Sequence, residues 1–187
     1  MTQPRYHPAS IFFHWLVVAL LIAAFAVIEL KGQFPKGSEP RELCKTIHGL
    51  LGQIIFVVMV VRLITRWAFG TPHPINPNQT LTALAKLAHY LLYLLLLMLP
   101  IMGFIFLQAG GKEVHFLNWV WPQWISLNPE LKKLFKEAHE WLGNALYFLI
   151  GLHALAALWH HYILKDETLR RMLNKIKPSE FIKSQSR

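Results

Sequence analysis

The sequence predicts an all-α protein, a bundle of four transmembrane helices. Of its 187 residues, 54% are hydrophobic and only 16% are charged, and the mean hydropathy is +0.35. Soluble domains of this length are usually less apolar. The apolar residues gather in four runs long enough to cross a hydrocarbon core of about 30 Å, and the charges lie between these runs. Together these observations indicate a multi-span membrane protein.

The first two runs are predicted to cover residues 11–30 and 46–67. The N-terminal stretch lacks the charged start and small-residue cleavage site of a signal peptide, so we expect the first run to remain as a span. It carries His14 near its start. The second run carries His48, beside Gly49 and Gly52, and such small residues let a bulky group approach the backbone.

The third and fourth runs are predicted to cover residues 81–107 and 129–164. The third carries His89 near its start and Pro100 inside, which a helix within a bundle tolerates. Asn128 before Pro129 is typical of a helix start. The connection between these runs holds aromatic residues typical of an interfacial belt: Phe116, Trp119, Trp121 and Trp124.

The chain is predicted to form one integral-membrane domain, with a basic tail over residues 166–187. With both termini on one side, eleven Lys and Arg residues lie on that side and eight on the other, so both termini are predicted to be cytoplasmic. The net charge of +9 comes from loops beside spans rather than from a basic polar domain, so we expect lipid contact and no nucleic-acid binding. Cys44 is the single cysteine, which excludes an intramolecular disulfide.

The fourth run carries His139, His153, His160 and His161. Ionisable side chains within a span are costly, and they therefore point to function. The first three fall on one helix face, each step missing a whole number of turns by about 40° or less. His139 and His153 lie about 21 Å apart along the axis. This spacing predicts two separate sites at two membrane depths.

Depth pairs the histidines across the bundle. His48 and His139 lie near the outer ends of their spans, whereas His14 and His153 lie toward the inner side. Two facing imidazoles can supply both axial ligands of a haem iron. No carboxylate or thiolate accompanies either pair, which argues against zinc or non-haem iron. The sequence therefore predicts two haems, with His160 as a rival to His153 for the inner iron.

His89 and His160 are both predicted near the inner surface. Histidine titrates near neutral pH, so either residue is a candidate for binding a quinone head group or relaying protons to it. Hydrogen-bonded structural histidines are the alternative, and the sequence leaves both interpretations open.

Four segments carry a resemblance to a known family. They are IFFHWLVVALLIAA from Ile11, TIHGLLG from Thr46, LAHYLLYLLLLMLPIMG from Leu87, and EAHEWLGNALYFLIGLHALAALWHHY from Glu137. Over about residues 5 to 175 the sequence resembles the bacterial cytochrome b561 family. It is also similar to the cytochrome b subunits of nickel-iron hydrogenase, which are usually longer and come with a partner enzyme.

The resemblance implies two b-type haems, held by the pairs His14/His153 and His48/His139, in a bacterial inner membrane. It implies ubiquinone as the electron acceptor and superoxide as the donor, which would make the protein a superoxide:ubiquinone oxidoreductase. The alternative is an electron-transfer subunit that links the quinone pool to a partner redox protein. Apart from the ligands, no catalytic residue is identified.

Eight cationic residues on the predicted outer side could steer the substrate to the outer haem if that substrate is a small anion. Positive charge around a site raises the association rate of anions, and this effect falls with salt. Seven acidic residues share that side, so ordinary surface charge is the alternative. The candidates for steering are Lys31, Lys36, Arg41, Lys45, Lys112, Lys132, Lys133 and Lys136.

Overall fold

The structure is a computed structural model that describes residues 5–73 and 78–173. Its four long helices are α1 (Pro8–Leu30), α2 (Glu39–Phe69), α3 (Gln79–Ala109) and α4 (Pro129–Tyr162). Each is long and apolar enough to cross a membrane. The predicted all-α four-helix transmembrane bundle is confirmed. Residues 174–187 of the predicted tail lie outside the described residues.

Local capping decides where the helices begin. The α1 helix begins at Pro8 rather than at residue 11, because the His7 ring accepts a hydrogen bond from the Ala9 amide at 3.2 Å. The α4 helix begins at Pro129, and the Asn128 side chain accepts from the Leu131 amide at 2.9 Å. Side-chain caps of this kind satisfy amides that have no partner within the helix.

Successive helices run antiparallel and pack against one another, α1 on α2, α2 on α3 and α3 on α4. As a result, α1 begins and α4 ends at one end of the bundle, which we call the terminal end. The opposite end holds a short antiparallel hairpin between α3 and α4, formed by β1 (His115–Phe116) and β2 (Trp119–Val120), and we call it the hairpin end. This hairpin was not predicted from the aromatic connection.

An apolar cluster fills the middle of the bundle. Leu146, with 2% of its surface exposed, is the buried residue that α4 contributes. It lies midway in the chain between His139 and His153. The remaining members come from the other three helices: Val17, Ala24, Ile55, Met59, Leu96 and Leu99. The packed core therefore separates the two predicted histidine layers.

A buried amide organises the hairpin end. Gln108 is fully buried, and its side chain donates to the Pro122 carbonyl at 2.7 Å and accepts from the Trp124 and Ile125 amides at 3.0 and 3.2 Å. These contacts satisfy the Gln108 side chain, which would otherwise be buried without a partner. The loop before α4 is thereby fixed to the end of α3.

The chain after α4 folds back across the terminal end, and we call residues 165–173 the terminal strap. Lys165 has a φ of +53°, an uncommon conformation for a residue other than glycine, and the chain reverses there. The Trp15 indole donates to the Met172 carbonyl at 2.8 Å, and Arg171 donates to the His73 carbonyl at 2.8 Å. The strap is thus anchored to α1 and to the α2–α3 connection.

Candidate functional site

At the hairpin end, the structure brings His48 of α2 and His139 of α4 together, with ring centroids 6.2 Å apart. His48 Nδ1 lies 3.0 Å from the Ala24 carbonyl oxygen, and His139 Nδ1 lies 2.9 Å from that of Leu99. A carbonyl only accepts, so Nδ1 carries the proton in both rings and Nε2 keeps its lone pair. Metal-binding histidines are usually oriented by a hydrogen bond of this kind.

At the opposite end of the core, His14 of α1 faces His153 of α4, with ring centroids 6.3 Å apart. A third ring joins this pair, because His89 of α3 lies 5.4 Å from His153. His89 Nδ1 is 2.6 Å from the Ala85 carbonyl oxygen of its own helix. His160, the other predicted candidate for the inner iron, lies farther along α4 and has a different partner, described below.

The two facing pairs fit a six-coordinate haem iron. A metal–imidazole bond is about 2 Å long and the ligating nitrogen lies about 1 Å from the ring centre, so two imidazoles on one metal place their centres about 6 Å apart. The separations of 6.2 Å and 6.3 Å match this value. Imidazole is also a common axial ligand for haem.

Glycines leave room beside the hairpin-end pair. Gly52 and Gly143 follow His48 and His139 by one helical turn, and a Cβ built on either glycine meets no atom within 4 Å. On the other side, a Cβ on Gly103 would lie 3.5 Å from the His139 ring. A flat macrocycle needs open space of this kind beside its ligands, as the sequence predicted for the glycines near His48.

Two cations approach the terminal-end histidines. The Arg62 and Arg66 guanidinium carbons lie 6.0 and 5.7 Å from the Tyr93 ring centre, and Arg62 also donates to the Ser10 carbonyl at 3.3 Å. Arg62 is close enough for its charge to act on His14 and on the other two histidines of this group. Guanidinium groups at this position suit the carboxylates of a haem.

His160 lies beyond this group, toward the terminal end of α4. Its Nδ1 donates to Asp166 Oδ2 at 2.5 Å, and Asp166 Oδ1 accepts from the Thr168 amide at 2.8 Å. Burial raises the pKa of the Asp166 carboxyl, but the hydrogen bonds from His160 and Thr168 outweigh burial and hold that pKa below its usual value. Asp166 was not predicted as a site residue. The sequence pattern that indicates it is an acidic residue six positions after His160, just past the end of α4.

The predicted steering residues differ in their partners. Lys45 and Lys112 both pair with Glu42, Lys136 pairs with Glu140 at 2.9 Å, and Arg41 donates to the carbonyls of Lys31 and Phe34. Within residues 5–73 and 78–173, Lys31, Lys36, Lys132 and Lys133 have no acidic partner. Lys31 alone of these acts electrostatically on a predicted ligand, His48.

An apolar cleft of about 320 Å³ opens at the terminal end. Its wall includes Trp15, the chain neighbour of the predicted ligand His14, and the two rings are 5.3 Å apart. The strap closes one side of it through Leu173. The lining residues are Pro8, Ile11, Phe12, Trp15, Leu16 and Leu173.

The chain is similar to known proteins over nearly its whole length. Residues 5–175 match the family described as prokaryotic cytochrome b561. The chain is 38% identical to cytochrome b561 homolog 1 of Escherichia coli K12, over 92% of this chain and 99% of that protein. It is 39% identical to the probable superoxide oxidase CybB of Yersinia pestis, over 91% and 97%. It is 27% identical to cytochrome b562 of Cereibacter sphaeroides, over 92% and 98%.

Proposed function

Because the chain belongs to the prokaryotic cytochrome b561 family, whose members are membrane electron-transfer proteins that bind b-type haem, we propose that it is a superoxide:ubiquinone oxidoreductase. Two superoxide ions are oxidised to two molecules of oxygen at the hairpin end. Their two electrons, with two protons, reduce one ubiquinone to ubiquinol at the terminal end. The observation that carries this proposal is the presence of two imidazole pairs, 6.2 and 6.3 Å between ring centres, on opposite sides of one apolar core.

The histidine pairs are the proposed haem ligands, His48 with His139 and His14 with His153. A b-type haem held by these residues would supply reversible one-electron chemistry. The Ala24 and Leu99 carbonyls fix the proton on Nδ1 of His48 and His139, and this leaves Nε2 of each ring as the ligand atom. Arg62 and Arg66 are the proposed partners of haem carboxylates at the terminal end.

The hairpin end is the proposed superoxide side, and it faces away from the cytoplasm. The Lys31 ammonium is near His48, where positive charge favours the approach of a small anion. The other lysines without an acidic partner there, Lys36, Lys132 and Lys133, extend the same field. Lys45, Lys112 and Lys136 contribute less, because their charges are paired with Glu42 or Glu140. Arg41 keeps its full charge, since its partners are neutral carbonyls.

The terminal end is the proposed quinone side, in the cytoplasmic half of a bacterial inner membrane. The apolar cleft has the chemistry that an isoprenoid chain needs, and the Trp15 ring in its wall lies 5.3 Å from that of His14. His89 contacts His153 and is the proposed neighbour of the quinone head group. The excess of basic residues on this side supports the orientation.

Absorption spectroscopy and pulsed superoxide test the proposal in sequence. The purified protein should show a reducible b-type spectrum with two haems per chain. Pulses of superoxide should then reduce these bands, and added ubiquinone should reoxidise them. A protein whose bands respond to quinone but not to superoxide would instead be the electron-transfer subunit of a partner redox protein. A protein without a b-type band would end the proposal.

A further inference from the structure

His160 and Asp166 form a carboxylate–imidazole pair that the haem sites do not use. The His160 side chain is 29% exposed and that of Asp166 18%, so both are partly withdrawn from water. Asp166 holds its place through three contacts: His160 Nδ1 on one oxygen, the Thr168 amide on the other, and its own amide on the His160 carbonyl at 3.1 Å. Because both carboxylate oxygens of Asp166 have a hydrogen-bond partner, the orientation of this side chain is fixed. A carboxylate of fixed orientation can hold the His160 ring in place.

The pair lies toward the end of α4, beyond the histidines of the terminal-end site. His160 lies seven residues beyond His153, about 10 Å farther along α4 and within about 20° of the same face. It therefore lies between the terminal-end site and the aqueous edge of the bundle. The terminal strap keeps Asp166 there, since Trp15 and His73 anchor the same segment to the rest of the fold.

We infer that His160 is the proton donor to the quinone and that Asp166 is its positioning residue. The inference rests on the proposed function. With Nδ1–H held by Asp166, the protonated imidazole presents Nε2–H, and it transfers that proton to a quinone oxygen. The carboxylate stabilises the cationic ring before the transfer. Water at the terminal end then reprotonates the imidazole.

The proposed reaction balances in both electrons and protons. Reduction of one ubiquinone takes two electrons from two superoxide ions and two protons from the aqueous side, so His160 releases and regains a proton twice for each quinol. No other oxidant or reductant is required. Asp166 keeps its hydrogen bond to Nδ1 throughout and does not itself change protonation.

Rapid mixing of the haem-loaded, chemically reduced protein with a short-chain ubiquinone tests this inference without superoxide. In Asp166→Asn, quinone should reoxidise the b-type bands about tenfold or more slowly, since general acid catalysis contributes roughly 10²–10⁴-fold. The solvent deuterium isotope effect on this phase should rise. Asp166→Glu should recover part of the rate. Oxidation by ferricyanide, which takes up no proton, should be unchanged.

Glu167→Gln is the matched control. Glu167 is the neighbouring acid, but it pairs with Arg170 at 3.0 Å and not with His160, so its removal should leave the rate at the wild-type value. An Asp166→Asn protein that reacts with quinone as fast as wild type, or one equally slow with ferricyanide, would overturn the inference. If the wild-type protein itself is not reoxidised by quinone, the proposed function fails instead.

Discussion

Individual imidazoles decide which ligand set the terminal end uses. Three rings meet there, and the His14–His153 separation of 6.3 Å matches the 6.2 Å of the hairpin-end pair, whereas His89 lies 5.4 Å from His153. We predict that His14→Ala and His153→Ala each lose one haem, because an iron with one axial imidazole binds weakly to the bundle. His89→Ala should retain two haems per chain. The haem-to-protein ratio and the reduced spectrum measure this.

His48→Ala provides the complementary result at the hairpin end. It should also lose one haem, but the surviving spectral component should differ from that of His14→Ala, since the two sites differ in their surroundings. If His89→Ala loses a haem while His14→Ala keeps both, the pair at the terminal end is His89 with His153.

The Asp166 carboxyl gives a residue-scale prediction for pH. Its pKa in the folded protein lies below the ordinary value of about 4, so its contribution to stability is fully present above that value. The contribution is lost as the pH falls through the folded-state pKa. We therefore expect the protection factor of the strap amides, which is the intrinsic exchange rate at each pH divided by the observed rate, to fall on acidification in wild type. Asp166→Asn should show the lower protection factor at every pH, and a strap equally protected in both proteins would contradict this.

Among the four helices, α4 contributes little to the buried core. It contributes one buried residue to the core, Leu146, whereas Leu155 is 64% exposed on the membrane-facing surface. Replacing a buried leucine by alanine leaves a cavity and typically costs about 2 kcal/mol or more. We predict that Leu146→Ala lowers the thermal unfolding temperature in detergent clearly more than Leu155→Ala. Equal shifts for the two variants would show that the central layer is not tightly packed.

At the scale of the whole molecule, cationic side chains lie at both ends of the bundle, and those at the hairpin end are the proposed steering residues. We predict that the rate of haem reduction by superoxide falls as ionic strength rises, because salt screens the attraction. Lys31→Gln should lower the low-salt rate by about twofold or more and flatten the salt dependence. Lys86→Gln, at the terminal end, is the matched control and should do neither. A rate independent of salt in wild type would remove the steering role.

Much of the fold was predictable because its physical causes are local. Apolar runs of sufficient length, with charges between them, predict four spans whatever the details of packing. The histidine positions within each run likewise predict depth, and the structure places His14 by His153 and His48 by His139. Boundaries were less predictable, since the His7 side chain begins α1 before residue 11.

What the sequence alone determined, then, is the number of spans and the level of each histidine, since both follow from one-dimensional spacing along a helix. Only the tertiary structure decided lateral neighbours. It placed His89 against His153 and folded Asp166 back onto His160, and it bound the hairpin-end loop to Gln108. Such contacts depend on the rotation of each helix about its axis and on where the chain reverses direction. Both are determined by how the helices pack around one core, and the residue order within a single helix does not specify that packing.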